Sequence, residues 1–96
     1  MNKTLFVFAK ISPKPEFLLD ARKAILGILK ATRLEAGCKQ FELHDGEDDG
    51  CLYLYEEWED EIALEEHYSK DYTKNVFEKY QNWLAKPVDI TKMVKL

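Results

Sequence analysis

The sequence predicts an α+β fold of the ferredoxin-like kind, β-α-β-β-α-β, forming a single domain over residues 1–96. Apolar residues alternate with period two through Lys3–Ser12, Lys39–Asp45 and Cys51–Trp58, as in strands. They recur at three- and four-residue spacing through 16–35 and again through 61–84, as in helices. Proline, glycine or a short acidic turn separates these stretches. Hydrophobic residues make up 46% of the 96, enough to build one packed core rather than leave the chain disordered.

In the first strand, Leu5, Val7, Ala9 and Ile11 fall on one face and Phe6 and Phe8 on the other, so both faces need cover. Pro13-Lys14-Pro15 ends it, because proline cannot continue a ladder. One helix is expected from Glu16 to Glu35, with Phe17, Leu18, Ala21, Ala24, Ile25, Ile28, Leu29 and Thr32 on its buried stripe. Gly37 is the expected stop, in the left-handed conformation that costs glycine nothing. A hairpin follows, turning at Gly46–Gly50. Phe41 and Leu43 share one face of its first arm, opposite Gln40, Glu42 and His44. In its second arm Leu52, Leu54, Glu56 and Trp58 share a face. Asp60 suits the N-cap of a helix over Glu61–Ser69, and a break near Asp71 precedes a further helical stretch from Tyr72 to Leu84. Pro87 stops that stretch, and Val88–Lys95 is the last strand.

With 14 basic against 18 acidic residues the net charge is −4, which argues against nucleic acid and anionic membrane surfaces as partners. The apolar runs Leu5–Ala9 and Ile25–Leu29 fall far short of the ~20 residues that span a bilayer. No secretory leader is legible at the N-terminus, so a cytoplasmic location is expected. Cys38 and Cys51 fall near opposite ends of the hairpin, about 20 Å apart at strand rise, too far for a disulfide. Free thiols are expected. With no Gly-rich nucleotide loop and no clustered metal ligands, neither an organic cofactor nor a metal is expected.

One four-stranded sheet with helices on one side would leave aromatic side chains bare on the other, a patch unsuited to water in a monomer. A homodimer with sheet packed face to face on sheet resolves this.

Arg33-Leu34-Glu35-Ala36-Gly37-Cys38, then Phe41, Glu56-Glu57-Trp58-Glu59-Asp60, Ala63-Leu64 and His67 stand in an order and spacing that resemble the antibiotic biosynthesis monooxygenase (ABM) domain family. The resemblance covers essentially the whole chain. It implies a dimeric α+β barrel with a ligand pocket between each sheet and its own helices. It also implies relatives that are cofactor-independent oxygenases of phenols, hydroquinones and anthrones, haem-degrading enzymes, or an isomerase-like enzyme of a phosphorylated metabolite. Two departures narrow this. Small quinol-oxidising members often carry a second histidine where Tyr72 stands. Haem-degrading members need an asparagine late in the first strand and a histidine on the last helix, where this chain has Phe8-Ala9-Lys10 and Asn75-Val76-Phe77.

The reading that follows is a cofactor-independent monooxygenase acting with O2 on a small phenol or quinol, which itself supplies the electrons. Its alternatives are a small-molecule-binding dimer without turnover, and an isomerase-type enzyme on a phosphorylated metabolite, which would need Lys10 or Arg33 in the pocket. Glu56 and His67 are the expected catalytic residues. A carboxyl buried beside an indole becomes a usable proton acceptor, and an imidazole titrates near neutrality. For Glu56 the competing expectation is a salt bridge to Arg33 or Lys10; for His67 it is plain packing with a hydrogen bond to Glu56 or to a carbonyl. Trp58, Tyr72, Phe77 and Tyr80 are the candidates to stack on an aromatic ligand, against a bland role as core. His44 is expected on the surface, and Cys38 as packing rather than nucleophile.

Overall fold

A computed structural model describes residues 3–96. Strands β1 (Leu5–Ile11), β2 (Cys38–Asp45), β3 (Leu52–Trp58) and β4 (Asp89–Met93) form one antiparallel sheet in the order β2-β3-β1-β4. Helices α1 (Leu18–Leu26), α2 (Leu29–Arg33), α3 (Glu61–Ser69) and α4 (Asp71–Trp83) complete the predicted β-α-β-β-α-β order. No helix among the described residues is long and apolar enough to cross a membrane.

The register places the core. Leu5, Val7, Ala9 and Ile11 of β1 stand opposite Trp58, Glu56, Leu54 and Leu52 of β3, and Phe41 of β2 stands opposite Glu56. Alternation thus turns Glu56 inward with the apolar residues, and all of these side chains are buried. Phe6, Phe8, Tyr53 and Tyr55 occupy the opposite face, where Phe8 is 41% exposed and stacks on Tyr53 at 5.7 Å. β2 runs along one edge of the sheet and β4 along the other; all of β4 is exposed, and it is shorter than the Val88–Lys95 expected.

Three further features differ from the sequence-based expectation. The helix expected over 16–35 is a 3-10 turn at Pro15–Phe17 followed by α1 and α2. The break falls at Gly27, a poor helix residue, where the amide of Ile28 turns back to the carbonyl of Ile25 at 3.0 Å. Ile28 and Thr32 still reach the core. The break in the second helical region lies at Lys70, whose extended backbone separates α3 from α4, one residue before the expected point. Gly37, expected in the left-handed conformation, does not adopt it: Gly50 in the hairpin turn is the one described glycine with positive φ. Glycine serves a different need at 37. Its carbonyl accepts from the amide of Glu59 at 2.8 Å, and a Cβ there would lie 2.3 Å from the Cβ of Ala63, an impossible approach.

Asp60 caps α3 as expected, its side chain accepting from the amide of Ala63 at 2.9 Å. That cap, with the Gly37–Ala63 contact, seats the start of α3 against the exit from α2. His67, two turns along, is thereby placed over the sheet.

Candidate functional site

Between sheet and helices lies a narrow, largely apolar cavity of about 30 Å³, with Ala9, Ile11, Phe41 and Leu54 among its walls. That volume holds a water molecule or two but not an aromatic ring. Four of its lining residues, Phe77, Tyr80, Val88 and Ile90, also line an open groove of about 580 Å³, within the range that takes small ligands. The polar chemistry sits in the cavity, where Glu56, His67 and Thr73 reach its wall.

Glu56 is 4% exposed and bridges to neither Arg33 nor Lys10. Arg33 instead donates to the carbonyl of Phe41 at 3.0 Å and to Glu42 at 2.9 Å, and Lys10 lies between Tyr53 and Asp89 on the other face of the sheet. Nε1 of Trp58 donates to Glu56 at 2.9 Å. Burial pushes the Glu56 carboxyl up to about 7; the indole bond opposes the rise and the nearby Glu35 adds to it.

His67 is 3% exposed. Its ring packs against Trp58 at 4.8 Å and against Phe41 at 5.6 Å, and Nδ1 lies 2.9 Å from Oε2 of Glu35. It is thus bonded neither to Glu56 nor to a carbonyl. Burial holds its pKa below the ordinary histidine value, against the opposing pull of the Glu35 hydrogen bond and charge. Glu56 held up and His67 held down make a site in which both groups are neutral over an interval below pH 7, because the apolar walls disfavour charge on either.

Thr73 is 2% exposed, and its hydroxyl has no hydrogen-bond partner among the described residues. An unpaired hydroxyl on the wall of a cavity is a place for a water or for a polar atom of a ligand.

Of the four aromatic residues expected against a ligand, Phe77 and Tyr80 line both cavity and groove. Trp58 and Tyr72 line neither. Trp58 is completely buried behind Glu56, and the hydroxyl of Tyr72 bonds to Glu35. Each is tied to a buried carboxyl group, Trp58 to that of Glu56 and Tyr72 to that of Glu35. Tyr80 is itself held, donating to the carbonyl of Ala21 at 2.7 Å. His44 is exposed. Cys38 and Cys51 are free thiols, and burial followed by the charge of Glu35 pushes the Cys38 thiol up to about 11, which leaves it a poor nucleophile.

Sequence reasoning passed over Glu35 and Thr73. In the sequence Glu35 stands as the expected end of the first helix and as part of the Arg33–Cys38 motif; it lies 32 residues from His67 in the chain, and only the seating of α3 brings the two together. Thr73 carries no signal beyond its place on a helix.

The family profile described as antibiotic biosynthesis monooxygenase matches residues 4–79. Rv0793 of Mycobacterium tuberculosis, a candidate monooxygenase by its name, is 33% identical over an alignment that covers 100% of this chain and 95% of the relative. Its solved structure superposes with a TM-score of 0.93, covering 97% of this chain and 95% of that one. PA3566 from Pseudomonas aeruginosa has a TM-score of 0.93 at 27% identity, covering 100% of this chain and 97% of that one. A Methanosarcina mazei protein has a TM-score of 0.90 at 27% identity, covering 98% and 94%.

Proposed function

The chain belongs to the antibiotic biosynthesis monooxygenase family, and from that premise we propose that it is a cofactor-independent monooxygenase acting with O2 on a small phenol or quinol. The observation that carries this reading is the pairing of two buried proton acceptors, Glu56 and His67, on the wall of one apolar cavity. The body of the substrate lies in the groove between Phe77, Tyr80, Val88 and Ile90, and a hydroxyl reaches inward toward His67. His67 takes the phenolic proton, and Glu56, once ionised, is a second acceptor. The resulting electron-rich anion adds O2 where bulk water is kept out. For a hydroquinone the atoms balance as quinol plus O2 giving hydroxyquinone plus water. One oxygen atom enters the ring, the other leaves as water, and the substrate supplies all four electrons.

A phosphorylated substrate finds less support, since among the described residues no lysine or arginine lines the cavity, Arg33 is engaged elsewhere and the groove offers only the exposed Lys86. The test is oxygen uptake by chelator-treated protein with a panel of hydroquinones and naphthols, beside the His67→Ala variant and after subtraction of autoxidation. Uptake should saturate with substrate and fall by about tenfold or more in the variant. Equal uptake by the two proteins across the panel would overturn the reading in favour of a dimer that binds without turnover.

The same reading includes assembly into a homodimer through the outer sheet face, where Phe6, Phe8, Tyr53 and Tyr55 stand. Sedimentation equilibrium should give twice the mass of one chain, and Phe8→Glu should shift it to a single chain. A wild-type protein that sediments as one chain would refute the dimer.

A further inference from the structure

Glu35 follows α2 and directs a nearly buried carboxyl group toward α3 and α4; its side chain is 8% exposed, against 4% for that of His67. One oxygen, Oε2, receives both Nδ1 of His67 at 2.9 Å and the hydroxyl of Tyr72. A carboxylate offers only acceptors, so two donors converging on one oxygen make a consistent arrangement when Nδ1 carries the proton. Nδ1 is thereby occupied, and Nε2 is the ring nitrogen left for the cavity that His67 lines.

We propose that Glu35, fixed by Tyr72, is a positioning residue that holds His67 in the tautomer protonated at Nδ1, so that a bare Nε2 faces the cavity as the proton acceptor. An imidazole left to itself favours the other tautomer, with the proton on Nε2, and in that form the nitrogen facing a ligand would be a donor and could not take a phenolic proton. The carboxyl group also stabilises the imidazolium that forms once the proton has moved. The consequence for rate rests on the proposed function; the tautomer does not.

The groups that face His67 bear on its titration. They are Glu35 beyond the end of α2, Glu56 and Trp58 of β3, Phe41 of β2, Tyr68 on its own helix and Lys70 just after it. Among these, Glu35 alone bonds to the ring.

The chain holds two histidines, His44 and His67, so nitrogen-15 NMR of histidine-labelled protein resolves the tautomer directly. Wild-type His67 should show a protonated Nδ1 and a bare Nε2, while the exposed His44 should not. In Glu35→Ala the proton should move to Nε2, and turnover should fall on the order of 100-fold. Glu35→Gln, whose amide oxygen can still accept from Nδ1, should keep the tautomer and lose about tenfold. A wild-type His67 protonated at Nε2 would overturn the proposal, as would a tautomer unchanged in Glu35→Ala. The wild-type spectrum decides even if Glu35→Ala does not fold. If the tautomer behaves as expected but no substrate is oxidised, the positioning stands and the proposed function fails.

Discussion

Trp58→Ala should cost about 3–5 kcal/mol of folding stability, read as a lower urea midpoint, with the melting temperature falling by roughly 4–8 °C for each kcal/mol. Trp58 is completely buried at the end of β3, directly opposite Leu5 and Cys38 on its two neighbouring strands. Its ring packs edge-on to Phe41 at 6.5 Å and lies over His67 at 4.8 Å. Truncation removes this apolar area, leaves a cavity beneath α3 that rigid neighbours fill only in part, and strips the Glu56 carboxyl of its indole donor. Against a total of about 5–15 kcal/mol for an ordinary domain, that is a large share.

Trp58→Phe separates the two contributions. It keeps an aromatic ring in the core but removes the N–H and part of the indole's bulk, so its cost should be about 1–3 kcal/mol. That cost should grow with pH, because the indole bond favours the ionised carboxyl and its loss raises the Glu56 pKa further. A Trp58→Ala cost below about 1 kcal/mol would mean that the residue is not the packing centre its burial implies.

These residues also mark how far the sequence could be read. Alternation in β1 and β3 is strict, so the two faces of the sheet and the inward direction of Glu56 followed from period two alone. The cap at Asp60 followed from local chemistry. Gly37 was legible as a necessary glycine but not for its reason. Chain direction at a helix exit suggests a left-handed turn, whereas the contact with Ala63 exists only once α3 has docked. The same limit hid Glu35: a hydrogen bond across 32 residues leaves no periodic trace. Trp58 and Tyr72 are expected against a ligand because aromatic side chains stack, but Trp58 is completely buried and Tyr72 is tied through its hydroxyl to Glu35, and neither contact is visible in the sequence.

Glu56→Gln should remove a pH dependence of stability worth about 3 kcal/mol between pH 4 and pH 8. The folded carboxyl titrates near 7 and its ordinary value is 4.5, with burial as the main cause. Below 4.5 the group is protonated in the folded and unfolded chain alike, and its burial carries no electrostatic cost. Between 4.5 and 7 the unfolded chain releases the proton while the folded one keeps it, so the contribution to stability falls as pH rises. Above 7 both forms are ionised and the loss is complete. His67 works in the opposite sense: its folded pKa lies below the ordinary 6.5, so its contribution is lost as pH falls. These two contributions to wild-type stability therefore run in opposite senses, and the comparison with Glu56→Gln isolates one of them. Glutamine can still accept from the indole of Trp58, so the variant keeps the packing and loses only the ionisation. Urea titrations should give matching wild-type and variant slopes against pH below about 4.5 and a gap that opens to about 3 kcal/mol by pH 8 in favour of the variant. A constant gap would show that Glu56 titrates as an ordinary surface carboxyl, and a carboxyl ionised at the ordinary value is too weak a base to share a phenolic proton with His67 near neutrality.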